Sequence, residues 1–313
     1  LYKHYSRLFF EYLDTYTDNI EPASIDEGYL DMTDDLNGQH PLKVAEQMRD
    51  ELLKKYDLPV SIGIAPNMFL AKMASDMKKP LGITVLRKRD VEEKLWPLPI
   101  ESMHGIGKKT VPNLKLLGIN TIKDLATYKN QDKLSKFLGN STNSFLLKAN
   151  GVDERMVDPT RSDRYQSIGN SKTYEGYLHE YQEMIQALDK LTKKVIERLK
   201  DKNLACKTIT VQMRTADYVN TSKNFSFPYH TNNYYDIFTE VERLFDDLYQ
   251  EQAVHLLGVS SSNLKPSEEL FKQLNIFEVK PKSIKEDHVN DILSKINDHY
   301  KKPILTRGLK DND

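Results

Sequence analysis

The sequence EPASIDEGYLDMTD spans residues 21–34 and places Asp26 and Glu27 side by side between apolar neighbours. Its β-forming residues lie between turn residues, which predicts a strand or a hairpin. Clustered carboxylates at strand ends suit Mg²⁺, and two-metal phosphoryl transfer uses them to hold two ions across a reacting phosphate. Spacing alone favours the alternative, an acidic turn on a solvated hairpin. A two-metal site would also need a third carboxylate, and no neighbouring predicted strand offers an obvious one.

Helices and strands alternate on both sides of this acidic stretch. Apolar residues from Leu1 to Leu13 recur at helical spacing, and a second amphipathic helix begins at Pro41. A short apolar strand precedes Asn67, which can cap the next helix, and Pro80 ends that helix before another strand. This alternation predicts an α/β or α+β layer in the first part of the chain.

The helix predicted after Asn67 brings in two lysines, Lys72 and Lys79, which are seven residues apart. They share one face if the helix extends far enough, and two ammonium groups there can neutralise a triphosphate or a DNA backbone. The commoner situation for surface lysines is a solvated helix edge. A position near the acidic pair would favour a nucleotide site, because acids that bind metal and lysines that bind phosphate act together.

A glycine hairpin follows, in which Gly105 and Gly107 precede Lys108, Lys109 and Thr110 at a predicted helix start. Glycines let backbone N–H groups approach a phosphate closely, while the helix dipole and the two lysines add positive charge. The pattern is typical of a helix-hairpin-helix, which holds a duplex by its backbone without reading the bases. We favour DNA binding over the alternative, a glycine-mediated turn between two helices.

A polar linker that contains proline separates this helical region from a second α+β region. From Ile168 the predicted order is strand, helix, strand, strand, helix, strand, which is a split βαβ arrangement. The net charge is −4 over residues 1–100, +7 over residues 101–230 and −4 over residues 231–313, so the middle of the chain favours a polyanionic partner. The peptide QLNIF, residues 273–277, has aliphatic and aromatic anchors for docking in a groove, unless it is an ordinary amphipathic segment.

The composition excludes several classes of protein. Of the 313 residues, 39% are hydrophobic and 29% are charged, which is typical of a globular chain with two or three domains. No apolar run approaches the roughly 18 residues of a membrane span, and the first residues lack the layout of a signal peptide. The single cysteine, Cys206, cannot form an internal disulfide, so we expect a cytoplasmic protein. The eight histidines lack zinc spacing, and there is no Walker loop.

Together these motifs resemble the Y-family DNA polymerases, most closely their bacterial members, over nearly the whole chain and in the family's order. SIDEGYLDMTD is similar to the palm signature S-[IL]-D-E-A-Y-L-D, and the segments that begin at Ser61 and Leu98 are similar to the palm helix and the thumb. The segments that begin at Ser167 and Gln273 are similar to the little finger and the clamp-binding peptide. The resemblance implies an α+β multidomain fold: a partial palm with an α/β layer (1–98), a small helical thumb with the helix-hairpin-helix (99–157), a linker (158–166), a little finger with split βαβ topology (167–265) and a tail with the clamp-binding peptide (266–313).

The resemblance also implies an activity and the residues that carry it. The reaction is template-directed transfer of a deoxynucleotide from a dNTP to the primer 3′ hydroxyl of primer–template DNA, by a monomer that tolerates damaged template. Asp26 and Glu27 match the adjacent metal-binding and catalytic carboxylates, for two Mg²⁺ ions in the complete enzyme, and Lys79, with Lys72 nearby, matches the lysine on the triphosphate. The other implied contacts are with the primer-side backbone (Gly105, Gly107, Lys108, Lys109, Thr110), with the duplex (Ser167, Lys172, Thr173, Lys223) and with the sliding clamp (Gln273, Leu274, Ile276, Phe277).

The sequence departs from the family pattern in three places. Gly28 replaces the usual alanine, and Met68 replaces a lysine that is common after Asn67 and could contact phosphate or DNA. The 313 residues start at Leu1 and do not include the family's preceding acidic strand, which carries another metal-binding Asp, or its fingers. We therefore expect this chain to be inactive or severely impaired in primer extension. Two alternatives are a non-enzymatic module that binds DNA and the clamp, and a different two-metal nucleotidyl phosphotransferase such as a cyclase.

Overall fold

A computed structural model describes residues 1–268 of the chain. Its regular elements alternate along the first part of the chain, become short and helical in the middle, and are long in the last part. The helices are α1 (Tyr2–Leu13), α2 (Pro41–Tyr56), α3 (Met68–Met77), α4 (Val111–Leu116), α5 (Ile122–Ala126), α6 (Gln131–Leu138), α7 (Thr142–Ala149), α8 (Tyr181–Asp201) and α9 (Tyr234–Asp246). The strands are β1 (Ile20–Pro22), β2 (Gly28–Leu30), β3 (Ile62–Ile64), β4 (Ile83–Val85), β5 (Ser167–Leu178), β6 (Leu204–Thr215), β7 (Asn220–Thr231) and β8 (Val254–Pro266).

The chain folds as two compact units. Unit 1 runs from Leu1 to Arg164, and unit 2 begins at Tyr165. The boundary between them lies inside the predicted linker, residues 158–166. The finer division of unit 1 into a palm and a thumb at residue 98 remains a prediction, because α3 and the helices after it share one core.

The first part of unit 1 is built on a short antiparallel hairpin. Strands β1 and β2 pair with Ile20 opposite Leu30, and α1 and α2 pack beside them. Gly28 is explained by this packing, since a Cβ at that position would lie 2.9 Å from the ring of Phe10 on α1. The ring therefore occupies the space that the usual alanine methyl would need. The core of this part consists of Tyr12, Leu13, Ile20, Val44, Met48 and Leu52.

The second part of unit 1 joins α3 to the small helices. Strands β3 and β4 pair in parallel. Gly63 allows α3 to pack directly on β3, because a Cβ at that position would collide with the carbonyl oxygen of Ala71. As predicted, Asn67 caps α3, and its side chain accepts a 2.9 Å hydrogen bond from the Leu70 N–H. Apolar residues of α3 share a single core with those of α4 to α7, which fixes the helical region against the helix that carries Lys72.

Unit 2 has the topology that the sequence predicts. Its four strands lie in the order β5-β8-β6-β7, and every neighbouring pair is antiparallel. Strands β5 and β6 are therefore parallel to each other with β8 between them, which is a split βαβ unit through α8. The side chains of α8 and α9 pack in one core with a single face of the sheet. The α+β fold class and the order β-α-β-β-α-β are thus confirmed. Within residues 1–268 no helix is long and apolar enough to cross a membrane.

Candidate active site and nucleic-acid interface

The acidic pair lies in the loop between β1 and β2, just before β2, and not on the strand itself. The Ser24 hydroxyl donates a 2.5 Å hydrogen bond to Asp26 Oδ1, and the backbone N–H groups of Ala23 and Ser24 donate to the carbonyl of Glu27. This turn leaves Asp26 exposed and Glu27 half-buried. The two acids are therefore part of the hairpin turn, and both carboxylates are presented from one short loop.

A chain of alternating charges begins at Glu27. The Lys72 ammonium donates a 2.8 Å hydrogen bond to Glu27 Oε1 and also lies 3.2 Å from Asp76 Oδ2. The Lys79 ammonium lies 2.6 Å from Asp76 Oδ1, although Lys79 follows the end of α3. The structure thus brings together Glu27, Lys72 and Lys79, three of the predicted site residues, through one carboxylate that the sequence motifs do not include.

Burial and charge set the protonation of this network. Burial opposes the charged form of Lys72, whose side chain is only 13% exposed, but its hydrogen bonds to Glu27 and Asp76 outweigh burial and raise its pKa. Burial likewise opposes the charged form of Asp76, and its bonds to Lys79 and Lys72 outweigh burial and lower its pKa. Asp76 could have been found from its spacing, since it is four residues from Lys72 and three from Lys79.

Three members of the network, Glu27, Lys72 and Lys79, line a cleft of about 1030 Å³ within unit 1. Asp26, Glu27, Lys72 and Lys79 all contribute to its wall, together with Arg155, which follows the last small helix. Carboxylates and cations therefore converge on one space that is large enough for a nucleotide. This convergence is the strongest feature of the site.

Arg155 is held in the cleft by a buried carboxylate. Its Nε lies 2.9 Å from Asp153 Oδ1 and its Nη2 lies 2.7 Å from Asp153 Oδ2. Asp153, which is 4% exposed, also accepts a 3.1 Å hydrogen bond from the Phe69 N–H at the start of α3. Burial raises the pKa of the nearby Tyr29 phenol, and Arg155 and Lys72 partly offset this effect. Sequence reasoning missed Arg155 because its site partners are far away along the chain.

The carboxylates fit part of a magnesium site. Within residues 1–268 no group of three or more Asp, Glu, His or Cys side chains is arranged to hold a metal ion. Asp26 and Glu27 can still supply two oxygen ligands, which is the number that Mg²⁺ commonly takes from protein when water and substrate phosphates fill the remaining positions. The ion pair with Lys72 shows that Glu27 accepts a cation at this place.

The glycine hairpin of the small helical region is formed, and its first helix is a single turn of 3-10 helix, Ile100–Ser102. Gly105 has φ +95°, a conformation that favours glycine, and a Cβ there would lie 3.2 Å from the Phe145 ring, which would have to shift slightly. Gly107 has neither constraint. Beside it Lys108 and Lys109 are exposed and Thr110 is half-buried, and neither lysine has an ion-pair partner in the described part of the chain.

The predicted duplex contacts of unit 2 lie on two faces of the sheet. Register places Ser167 and Thr173 of β5 on the face without helices. Lys172 and Lys223 lie on the helix face, where Lys172 packs over Tyr174 at 5.0 Å from its ring centre. Lys223 is 3.1 Å from Asp247 after α9. A single flat ligand on the sheet cannot contact all four residues.

The face without helices is unusually uniform, and no element of residues 165–268 covers it. Its side chains are nearly all small hydroxyl or amide groups, and Gln212 of β6 packs against Gly258 of β8. Arg214, near the end of β6, is a long cationic side chain on this face, and its Nε donates a 2.7 Å hydrogen bond to Asn220 Oδ1. By register the members of the face are Ser167, Gly169, Ser171, Thr173, Leu256, Gly258, Ser260, Ser262, Thr208, Thr210, Gln212, Arg214, Asn220, Ser222, Asn224 and Ser226. The predicted clamp-binding peptide, residues 273–277, lies outside the described residues.

Comparison with known sequences gives three matches along the chain. Residues 1–76 match the impB/mucB/samB family, residues 88–119 match the helix-hairpin-helix motif of that family, and residues 165–276 match the family's C-terminal domain. DNA polymerase IV 1 of Bacillus subtilis is 40% identical over 307 residues, which is 98% of this chain and 74% of the relative. DNA polymerase IV of Bacillus cereus is 39% identical over 308 residues, with the same coverage of both chains.

Comparison with solved structures gives the same result. A Y-family DNA polymerase chimera of Dbh and Dpo4 superposes with a TM-score of 0.74 at 27% identity, over 84% of this chain and 76% of that one. An insertion ternary complex of Dbh DNA polymerase superposes with a TM-score of 0.55 at 27% identity, again over 84% and 76% of the two chains. By sequence and by fold, the chain belongs to the impB/mucB/samB family, the Y-family DNA polymerases.

Proposed function

We propose that this chain, a DNA-directed DNA polymerase by family, adds deoxynucleotides from dNTPs to a primer 3′ end on a template strand and continues across damaged template. The observation that carries the proposal is the run of alternating charges from Glu27 through Lys72 and Asp76 to Lys79, of which Glu27, Lys72 and Lys79 lie on the wall of the cleft. Carboxylates that accept a cation there adjoin ammonium groups that neutralise phosphate. A nucleoside triphosphate with Mg²⁺ requires this combination.

Asp26 and Glu27 are the proposed ligands of Mg²⁺, with two ions in the complete site. When bound, the metal stabilises the negative charge that develops on the transferring phosphate. Glu27 must first be released by Lys72, and the freed ammonium can then bind a phosphate of the triphosphate, as can Lys79. Ser24 keeps Asp26 in the loop by accepting its backbone N–H at 3.2 Å and donating to its carboxylate.

Two surfaces are proposed to hold primer–template DNA. The exposed Lys108 and Lys109, with the Gly105–Thr110 backbone, suit the phosphates of one strand because the open surface at Gly107 lets a phosphate approach the main chain. The face of the unit 2 sheet without helices suits a duplex because its small hydroxyl and amide groups can donate hydrogen bonds to phosphates without protruding. On this proposal Ser167 and Thr173 contact DNA directly.

Partners and location follow the family resemblance. The chain acts as a monomer in the cytoplasm, and residues 273–277 tether it to the sliding clamp. Replacing both Leu274 and Phe277 with Ala is expected to abolish capture by the clamp while DNA affinity is unchanged. Unchanged capture would contradict the tether. The matched control replaces Lys280 and Lys282 with Ala, which alters the same tail outside the peptide and leaves both anchors intact.

The test of the reaction is single-nucleotide incorporation with the chain in excess over primer–template DNA, because excess chain and long reaction times detect slow turnover. We expect template-directed, Mg²⁺-dependent incorporation that Glu27→Gln lowers by at least about 100-fold, or roughly 2.7 kcal/mol. Asp34→Asn is the matched control, since Asp34 is an exposed acid shortly after the same hairpin. The described residues place no third carboxylate beside Asp26 and Glu27, so the rate of the unaltered chain is expected to be low.

The lack of a third carboxylate beside Asp26 and Glu27 within the described residues also supports the second candidate, a non-enzymatic module that binds DNA and the clamp. DNA affinity without any incorporation, even at long times, would favour that module over the polymerase. A product formed from a nucleoside triphosphate without primer would favour a cyclase. Fast incorporation would support the polymerase and contradict the expected impairment.

A further inference from the structure

Arg155 is a cation of the cleft that the network of lysines does not include. It lines the same space as Asp26, Glu27 and Lys72, and its side chain is 41% exposed. Its carboxylate partner, Asp153, is 4% exposed and is tied to the N–H of Phe69. The guanidinium is therefore oriented by the buried Asp153 carboxylate, which is itself hydrogen-bonded to the start of α3.

The contact with Asp153 uses only one edge of the guanidinium. Arginine has five N–H donors, and those that contact Asp153 are on Nε and Nη2. Within residues 1–268 the Nη1 group donates to no other atom. A half-exposed guanidinium with a free edge and a fixed orientation is suited to bidentate contact with phosphate.

The other cations of the cleft are already engaged. Lys72 is shared by Glu27 and Asp76, and Lys79 is paired with Asp76. Each of these ammonium groups must leave a carboxylate before it can bind a phosphate fully. Arg155 needs no such exchange, because Asp153 occupies only the Nε–Nη2 edge of its guanidinium.

We propose that Arg155 is a further substrate-contacting residue of the cleft and binds a phosphate of the nucleotide substrates through its Nη1 edge while Asp153 fixes its orientation. This inference rests on the proposed polymerase function. The phosphate belongs either to the incoming dNTP or to the primer strand, since both carry the same chemistry to the cleft. The structural alternative, in which Arg155 only neutralises Asp153, predicts no loss of binding in a folded variant.

The experiment compares Arg155→Gln with the double variant Arg155→Gln/Asp153→Asn. The single variant leaves a buried carboxylate without its cation, whereas the double variant removes both charges and keeps an amide oxygen for the Phe69 N–H. Arg89→Gln is the matched control, because Arg89 is exposed and lies outside the cleft. Circular dichroism and thermal unfolding identify the variants that remain folded.

Two binding measurements distinguish the two sources of phosphate. One is the Kd for primer–template DNA without nucleotide, measured over a range of salt concentrations, and the other is the Kd for the correct dNTP in the binary complex with DNA. We expect a folded Arg155 variant to lose about tenfold in one of them. A loss in the first, with a salt slope reduced by about one, assigns the primer-strand phosphate, and a loss in the second assigns the triphosphate.

The proposal is overturned if both affinities of the folded double variant stay within about twofold of the unaltered chain and of Arg89→Gln. Failure of the proposed function has a different signature, because the unaltered chain itself would then show no affinity for the correct dNTP in the binary complex, or no affinity for DNA. A chain that binds neither ligand would overturn both proposals together.

Discussion

Lys72 holds Glu27 at 2.8 Å, so the carboxylate that the family motif assigns to a metal ion is occupied by a cation of the chain itself. The same ammonium reaches Asp76, and it is largely buried between the two acids. On the proposed function, a divalent ion at Glu27 would compete with Lys72, and a phosphate that attracts Lys72 would assist the ion. This ion pair would then couple metal binding to triphosphate binding.

Replacing Lys72 with Met is expected to lower the Mg²⁺ concentration needed for half-maximal incorporation, because the competing ammonium is gone. Glu27 is 44% exposed, so the pair is worth only about 1 kcal/mol and the shift is about three- to tenfold. The KM for dNTP should rise at the same time, since a phosphate ligand is lost. Titration of Mg²⁺ at saturating dNTP measures the first effect.

Lys79→Met is the control for that prediction. Lys79 pairs with Asp76 at 2.6 Å and forms no pair with Glu27 within the described residues. It should raise the KM for dNTP with little change in the Mg²⁺ requirement. If Lys72→Met also left the Mg²⁺ requirement unchanged, the proposal that lysine and metal compete for Glu27 would be wrong.

His104 offers a spectroscopic measure of the same network. Burial lowers its pKa, Lys72 lowers it further, and Asp76 and Glu27 oppose the shift. We expect Lys72→Met to raise the pKa of His104 and Asp76→Asn to lower it, as measured by NMR titration of the imidazole. Shifts of the same sign in both variants would contradict the assignment of these charges.

The sign of the pH dependence follows from the direction of this shift. An unfolded chain, with an ordinary histidine pKa of about 6.5, binds more protons than the folded chain just below that pH. Acidification through the window from about 6.5 down to the folded pKa therefore lowers the free energy of unfolding. His104→Gln should flatten the stability profile in that window, and urea unfolding at several pH values measures it.

The proposal that DNA binds the face of the unit 2 sheet without helices can be tested with two substitutions. Thr210→Glu places a negative charge in the middle of the face without helices, and it should weaken primer–template affinity by about tenfold. Lys223→Met removes a cation from the helix face, where Asp247 already neutralises it, and affinity should change by less than about twofold. The opposite ranking in a fluorescence anisotropy titration would place DNA on the helix face.

Glu21 anchors the segment that leads out of unit 1. Its side chain is 5% exposed, accepts a 3.0 Å hydrogen bond from the Asp158 N–H and lies 3.1 Å from Arg161 Nη1. Glu21→Ala leaves that N–H without its acceptor and should cost about 1–3 kcal/mol of unfolding free energy. Trypsin should then cleave faster after Arg161 and Arg164.

Glu21→Gln keeps an oxygen for the Asp158 N–H and serves as the milder control. It should lose less stability than Glu21→Ala and be cleaved more slowly. Equal cleavage rates for the unaltered chain and both variants would show that Glu21 does not hold this segment.

The sequence predicted the parts of the site that are local. The hairpin around Asp26, the cap at Asn67 and the glycine turn at Gly105 each depend on a few consecutive residues, and local turn and capping chemistry made them predictable. The order of elements in unit 2 was also predictable, because long amphipathic segments carry a strong periodic signal. The sequence did not show that the acids lie in the loop and not on β2, because a shift of one residue in the start of the strand decides between the two positions.

The long-range contacts could not be predicted. The bond from Phe69 to Asp153 spans 84 residues, and the pair of Lys223 with Asp247 depends on where α9 ends against the sheet. Both are decided by packing of the core and leave no periodic trace in the sequence. Asp76 lies between these cases, since its spacing from Lys72 on α3 was visible, whereas the bond that ties the same lysine to Glu27 spans 45 residues.

The sheet face of small hydroxyl and amide groups has a consequence for the movement of a DNA duplex past the protein. A polymerase must advance by one base pair after every addition, and each step slides the duplex past whatever holds it. Long side chains that interlock with the groove would make some positions of the duplex more favourable than others. If the duplex lies on this face as proposed, the row of Ser260, Thr210 and Asn224 would offer nearly the same contacts at every step, so translocation along it would meet little friction.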